Sequence, residues 1–198
     1  MPQVTRASLA IPTGRSVKWT IEGILGYSNF RRRDVTDPSF RLPSDTAEGV
    51  LGLRVEANRG GVIGSAWIEA GRRARWDPWG LPAPPGPPWS PDDRDFTRRG
   101  MDVKKSWYVS EANKITLNVA GFDGMSLDRF SRFELGDFRA ARVQGFNGSG
   151  IHFDRRIVAD ASTAFTLARQ ARLEAGLQAG WIHGDDDFGP GYERVVGA

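Results

Sequence analysis

The stretch ARLEAGLQAGW, residues 171–181, places an apolar side chain at every second position. In a β-strand, such alternation puts the apolar residues on one face and the polar residues on the other. The same spacing would scatter the apolar residues around the surface of an α-helix. The stretch therefore predicts a strand with one apolar face and one polar face.

Other segments alternate in the same way and predict strands at 4–11, 15–28, 47–57, 62–75, 101–109, 115–122 and 156–167, with a further strand beginning at 192–198. The connections between these segments alternate strictly in length. Short links lie near Thr13, Arg59, Ala112 and Gln170, and long loops occupy 29–46, 76–99, 123–154 and 184–191. In an up-and-down antiparallel sheet, all the short turns then lie at one edge and all the long loops at the other, as in outer-membrane barrels.

The predicted polar faces carry charged residues such as Lys18, Glu22 and Glu69. Each of these would cost several kcal/mol if it were buried without a partner, whereas a water-filled lumen accommodates it. We therefore predict an all-β fold: one domain over residues 1–198 that forms part of an antiparallel up-and-down transmembrane β-barrel, with about eight to nine strands present. The apolar positions that we expect to face lipid include Trp19, Leu53, Leu117, Leu173 and Leu177.

Composition limits the remaining classes. The chain has 198 residues, a net charge of +3 and no cysteine, so thiolate metal sites and disulfides are excluded. The charge is too balanced for a nucleic-acid partner, and the basic run Arg31-Arg32-Arg33 ends at Asp34 in a predicted loop. We predict the bacterial outer membrane as the location and its lipid as a partner. Because an open sheet cannot keep unpaired edges in lipid, we also expect missing strands or periplasmic domains of a longer chain.

The loop at 123–154 contains RFELGD at 132–137 and RVQGF at 142–146. This resembles the inward-folding loop of the BamA-like surface-antigen superfamily, which has a phenylalanine-led "RF-x-L/A-G-G" element followed by a Val-Arg-Gly-Phe/Tyr tetrad. The superfamily comprises outer-membrane assembly factors, two-partner secretion transporters and relatives. The resemblance implies insertion or secretion of polypeptides, with a polypeptide as substrate. The residues that carry it are Phe133, Gly136, Arg142, Val143, Gln144, Gly145 and Phe146.

The tetrad departs from the family pattern, because Gln144 stands where the family has arginine. In the family, that arginine pairs inside the lumen with an aspartate on the second strand after the loop, a place that Gln178 takes here. Two amides can still hydrogen-bond, but without the charge assistance of an arginine–carboxylate pair. We therefore expect Arg142 to hold the loop, with Asp160 or Glu174 as its partner.

The sequence predicts no catalytic residue, metal site or cofactor. His152 and His183 have neither a cysteine nor a second histidine at ligand spacing, and no Gly-x-Ser-x-Gly context. Two alternatives stay open. One is a soluble β-sheet domain that binds a ligand or partner through its long loops, and the other is an outer-membrane lipid-modifying enzyme that uses Ser149 with His152.

Overall fold

The structure is a computed structural model that describes residues 3–34, 36–81, 94–110, 113–134, 152–168, 171–184 and 192–197. The strands in these ranges are β1 (Gln3–Thr13), β2 (Val17–Ser28), β3 (Thr46–Arg59), β4 (Val62–Arg73), β5 (Asp95–Tyr108), β6 (Lys114–Met125), β7 (Phe133–Glu134), β8 (His152–Phe153), β9 (Arg155–Ala168), β10 (Ala171–His183) and β11 (Tyr192–Gly197). These ranges include no helix that is long and apolar enough to cross a membrane.

Nine of the strands in the described ranges form one sheet in the order β1-β2-β3-β4-β5-β6-β9-β10-β11, and β7 pairs with β8. Every neighbouring pair in the sheet is antiparallel, which confirms the predicted all-β antiparallel fold. The sheet is open rather than closed into a barrel, and β1 and β11 are its edges. The four short turns lie at one end of the strands and the long connections at the other.

The strands extend further into the predicted loops than the alternation indicated. β5 begins at Asp95, inside the predicted loop 76–99, and β6 continues to Met125, inside 123–154. Near the long loops both faces of β5 carry polar side chains, since Asp95, Thr97 and Arg99 share the face of Met101. Hydrophobic alternation therefore ends before the hydrogen-bonded strand does.

One face of the sheet, which we call the apolar face, presents large apolar side chains to solvent. They lie between 39% and 68% exposed and comprise Leu9, Ile11, Trp19, Ile21, Leu25, Tyr27, Leu51, Leu53, Ile68, Met101, Val103, Trp107, Ile115, Leu117, Val119, Ile157, Phe165, Leu173, Leu177 and Trp181. A continuous exposed apolar surface of this extent marks a protein or membrane interaction site.

The opposite face, which we call the polar face, carries pairs of charged and polar side chains. Arg98 Nη2 lies 2.8 Å from Glu69 Oε2, and Asn118 Nδ2 lies 2.7 Å from Asp160 Oδ2. The buried hydrophobic cluster of the described residues, which includes Trp67, also lies on this side of the sheet. The packed core therefore lies between the polar face of the sheet and the chain segments that cover that face.

Glycines on the polar face leave gaps that aromatic rings fill. A Cβ atom on Gly100 would lie 2.8 Å from the Trp67 indole, and one on Gly71 would collide with the Phe96 ring. Because Gly100 separates β4 from β6 at this level, the Trp67 and Phe122 rings approach to 6.2 Å across β5. Glycine is required at both positions so that the rings can lie against the backbone.

The turn ends of the strands are staggered in one direction. β3 continues two residues beyond the partner of Val17, β5 three beyond the partner of Val62, and β9 four beyond the partner of Lys114. Together these shifts amount to nine residues over the five steps from β2 to β9. If the turns share one plane, the shifts correspond to strands tilted by roughly 50° from the normal to that plane, at about 3.4 Å per residue along a strand and about 4.8 Å between strands.

Candidate functional site on the polar face

The chain leaves β6 and turns onto the polar face. Ser126 has a φ of 55°, a left-handed conformation that is uncommon for a residue other than glycine. The next residue, Leu127, is buried and lies directly over Gly124, where a Cβ atom would collide with it. We call residues 126–134 and 152–154 the polar-face loop, because they cover this side of the sheet.

Asp128 organises the first turn of the polar-face loop. Its Oδ1 atom accepts hydrogen bonds from the backbone nitrogens of Phe130 and Ser131 at 3.1 and 3.0 Å and from the Ser131 hydroxyl at 2.8 Å. In return, the Asp128 backbone N–H donates to Ser131 Oγ at 3.0 Å. Such side-chain bonds to nearby backbone groups are typical of aspartate and serine at turns, and they give the buried carboxylate a fixed position.

Arg73, the last residue of β4, joins the polar-face loop to the sheet. Its Nη2 atom lies 3.1 Å from Asp128 Oδ1 and its Nε atom 3.0 Å from Glu48 Oε2. The Arg73 side chain is 2% exposed and the Asp128 side chain 0%, so this is a buried ion pair. The guanidinium carbon also lies 4.2 Å from the centre of the Trp76 ring and 5.1 Å from that of Phe96. Arg73 therefore fixes the start of the loop to β3 and β4 at once.

Phe133 is the centre of the hydrophobic cluster under the polar-face loop. It is fully buried, stacks on Phe153 with ring centroids 5.4 Å apart, and approaches Phe122 at 5.7 Å and Trp67 at 6.2 Å. β7 and β8, which carry Phe133 and Phe153, pair with each other across the two ends of the loop. Phe133, a residue of the RFELGD element at 132–137, thus packs its ring against the sheet.

Phe130 brings a second group of rings together at the long-loop end. Its ring lies 5.0 Å from Phe30, 5.1 Å from Trp79 and 5.9 Å from Trp76. The Phe40 ring extends this group, because its centroid lies 6.2 Å from that of Trp79. These rings come from the β2–β3 connection, the segment after β4 and the polar-face loop, so three connections meet at one place.

Polar contacts hold the first two of these connections together. Arg41 and Gly80 exchange backbone hydrogen bonds of 2.9 Å, and the Ser44 hydroxyl donates to Asp77 Oδ2 at 2.5 Å. The hydrogen bond from Ser44, with that from Arg75, lowers the pKa of the Asp77 carboxyl although burial opposes the change. The two connections are therefore held together by an isolated β-bridge and by side-chain hydrogen bonds.

Arg156 is a buried cation next to the Phe133 cluster. It is 1% exposed, and its Nε, Nη1 and Nη2 atoms have no hydrogen-bond partner in the described part of the chain. The guanidinium carbon lies 5.5 Å from the centre of the Phe153 ring. A cation–π contact offsets part of the cost of burying an arginine, but less than a carboxylate partner does.

The structure brings the three predicted anchoring residues together on the polar face. Asp160 of β9 is the register partner of Gln178 of β10, and Glu174 lies on the same face of β10. All three line a cavity of about 360 Å³ beside Gly176. Asp160 is already engaged, because Asn118 donates to it. These side chains could receive a polar group from the loop.

The remaining predicted motif residues, Gly136, Arg142, Val143, Gln144, Gly145 and Phe146, lie outside the described residues, as does Ser149. The expected contact of Arg142 with Asp160 or Glu174 therefore stays a prediction. His183 Nδ1 lies 2.9 Å from Asp154 Oδ1, and the residues that the structure describes contain no group of three His, Asp or Glu side chains able to hold a metal ion.

Sequence reasoning missed Arg73 and Asp128 as the pair that anchors the loop. The spacing Asp128-x-x-Ser131 is a local signal for a turn, and Arg73 shares the strand face of Trp67 and Glu69. Those signals place each residue separately. Their pairing over 55 positions depends on how the loop folds back, which no local pattern encodes.

A scan against protein-family models found no match for this chain, and searches of curated proteins and of solved structures found none either. Function must therefore be inferred from the two faces of the sheet and from the polar-face loop.

Proposed function

We propose that this chain forms part of the wall of an outer-membrane β-barrel that aids the insertion or secretion of polypeptides. The polar-face loop would lie inside the lumen. The observation that carries the proposal is the exposed apolar face, which runs from β1 to β10, opposite a face that bears ion pairs and a packed loop. A membrane-embedded barrel needs this arrangement of apolar outside and polar inside.

The dimensions of the apolar face support a membrane location. On β2, Trp19 and Tyr27 share this face and bound a stretch of nine residues, close to the roughly 9–11 residues that a tilted membrane strand requires. Trp107 and Phe165 lie near the short turns, whereas Trp181 lies near the long loops. Aromatic side chains at both borders of an apolar band are typical of membrane barrels.

Charged side chains on the apolar face lie near its borders. Arg72 and Arg155 occur where β4 and β9 meet the long loops. Lys105, near the short turns, donates to the Gly60 carbonyl at 2.6 Å and lies 6.0 Å from the Trp107 ring. Long basic side chains that direct their charge toward a border are compatible with a neighbouring bilayer.

The polar-face loop supports the translocation class among outer-membrane barrels. Phe133 of the RFELGD element at 132–137 is buried against the sheet, and the Arg73–Asp128 pair holds the start of the loop there. A loop that is fixed to the wall of a lumen can contact a passing polypeptide, whereas a freely moving loop would block the lumen. The ion pairs of the polar face would provide a wetted surface for polar backbone groups.

Reconstitution of the full chain in phospholipid vesicles tests both parts of the proposal. The first measurement is resistance of the vesicle-bound chain to alkaline extraction. The second is the rate at which a urea-unfolded outer-membrane β-barrel polypeptide folds into vesicles with and without the chain. Arg73→Met, which removes the loop anchor, and Lys18→Met, which removes an exposed cation on the same face, form a matched pair.

We expect extraction-resistant chain and faster folding of the client polypeptide, with a smaller acceleration by Arg73→Met than by Lys18→Met. A chain that stays monomeric and soluble without detergent would contradict the membrane location. Stable insertion without any acceleration would contradict the function in polypeptide insertion while leaving the location intact.

One observation favours a second candidate, a soluble domain that binds a partner through its long loops. Phe130 is 51% exposed at the place where three connections meet, so the aromatic rim offers a contact surface. This candidate requires another protein to cover the apolar face. A complex of the chain with such a protein that stays soluble without detergent or lipid would separate this candidate from the membrane proposal.

A further inference from the structure

Three charged side chains form a cluster at the border of the apolar face. Arg99 of β5 is the register partner of Asp123 of β6, which is the register partner of Arg155 of β9. Arg99 Nη2 lies 2.6 Å from Asp123 Oδ2, and Arg155 Nε lies 2.9 Å from Asp123 Oδ1. Each carboxylate oxygen therefore holds one guanidinium, and the cluster has one positive charge in excess.

A groove of about 750 Å³ on the apolar face is lined by all three residues of this cluster. Its lining also includes Leu53, Ile68, Met101 and Ile157 of the apolar face, as well as Trp67, Phe122 and Arg156, whose strand positions place them on the polar face. The volume falls within the roughly 300–1,000 Å³ that small-molecule sites occupy. One groove is thus lined both by apolar residues and by the charged cluster.

A groove lined by apolar residues and by a cluster with one excess positive charge fits an amphiphile. The Arg99 and Arg155 side chains are 61% and 54% exposed although both contact Asp123. A guanidinium has five N–H donors in a planar fork that matches phosphate oxygens. A carboxylate that faces lipid is costly unless it is paired with a positive charge. Asp123 is paired with both arginines, and this pairing holds the two guanidinium groups next to each other.

We propose that Arg99, Asp123 and Arg155 form a binding site for the phosphate of a membrane lipid, with an acyl chain of that lipid in the apolar groove. This inference rests on the proposed membrane location. If the apolar face lies in a bilayer, the cluster sits at its border, where lipid phosphates are found. Asp123 acts as a positioning residue that orients both arginines toward the phosphate.

Quenching of tryptophan fluorescence by brominated lipids tests the site, because Trp19 also lines the groove. The full chain is reconstituted in phosphatidylcholine vesicles in which either the phosphatidylcholine or a small fraction of phosphatidic acid carries bromine. The variants are Arg99→Gln, Arg155→Gln and, as the matched control on the polar face, Arg54→Gln. Trp19→Phe identifies the part of the quenching that comes from the groove.

We expect stronger quenching by brominated phosphatidic acid than its share of the lipid predicts. Each of Arg99→Gln and Arg155→Gln should lower the relative affinity for it about fivefold, because one basic residue near a membrane surface contributes about that factor. Arg54→Gln should leave the relative affinity unchanged. Circular dichroism of each variant verifies that the strands are retained.

Equal quenching by both lipids, or an equal loss with Arg54→Gln, would overturn the site while the membrane location stands. Displacement of phosphatidic acid by inorganic phosphate or by oleate would show a general anion site and would also overturn the lipid proposal. Absence of quenching by either lipid would show that the chain does not insert, which refutes the membrane location and the site together.

Discussion

Replacing Asp128 by asparagine should strongly destabilise the chain, because it removes the charge that compensates Arg73. Asparagine keeps an oxygen that can accept the turn hydrogen bonds from Phe130 and Ser131. The substitution therefore removes the ion pair while it keeps the hydrogen bonds of the turn, so the effect of the ion pair is measured alone. Arg73→Met makes the reciprocal change, since methionine retains an unbranched apolar stem without the guanidinium.

The burial of the pair sets the expected magnitude. Removing one partner of a buried ion pair costs about 3–5 kcal/mol. In Asp128→Asn, Arg73 keeps Glu48 at 3.0 Å and the Trp76 ring at 4.2 Å, so we expect the lower end, about 3 kcal/mol. In Arg73→Met, Asp128 keeps the hydrogen bonds from the backbone nitrogens of Phe130 and Ser131, so we expect about the same cost. The double variant leaves no uncompensated charge from this pair, and we expect it to cost about 4 kcal/mol, a coupling energy of about 2 kcal/mol.

The assay is equilibrium unfolding of the vesicle-bound chain in urea, followed by tryptophan fluorescence and analysed by linear extrapolation. The exposed pair Lys18 and Glu56, 3.1 Å apart with side chains 52% and 40% exposed, is the control. Lys18→Met and Glu56→Gln should each cost less than about 1 kcal/mol. If the two substitutions at Arg73 and Asp128 were additive within about 0.5 kcal/mol, the ion pair would not be the loop anchor.

Two further predictions use the same unfolding measurement. Leu9→Arg on the apolar face should cost about 2–4 kcal/mol near the middle of a bilayer, whereas Ala10→Arg on the polar face should stay within about 0.5 kcal/mol; equal effects would contradict a lipid-facing surface. Gly100→Ala should cost about 1–3 kcal/mol and change the near-ultraviolet dichroism of Trp67, because a Cβ atom would lie 2.8 Å from that ring. Gly23→Ala, with no atom within 4 Å, should be neutral or slightly stabilising, and a similar loss at both sites would refute the packing argument.

Alternation of side chains predicted the nine strands of the large sheet and their faces, but not β7 and β8, which lie within the predicted loop 123–154. The stretch 171–181 became β10, and Leu173 and Leu177 lie exposed on the apolar face as its pattern indicated. The period of a strand is two residues, so each residue reports its own face directly. The lengths of the connections then predicted which strands pair, because a short link forces an antiparallel neighbour.

Contacts between distant residues could not be predicted in the same way. Phe133 was singled out by its motif, but its stacking on Phe153 depends on the return of the chain after the loop. The buried state of Arg156 likewise depends on rings contributed by other elements. Asp160, Glu174 and Gln178 were named as residues that could hold the loop, and their role stays a prediction; that Asp160 and Gln178 are register partners was not predicted.

The stagger of the turn ends has a consequence for the width of any barrel to which these strands belong. A strand tilted by roughly 50° occupies about 7.5 Å of the circumference, compared with about 6.3 Å at 40°. Each strand therefore encloses more cross-section than a steeper strand would. In such a barrel, the wider cross-section would leave room on the polar face for the stacked rings of Phe133, Phe153 and Trp67.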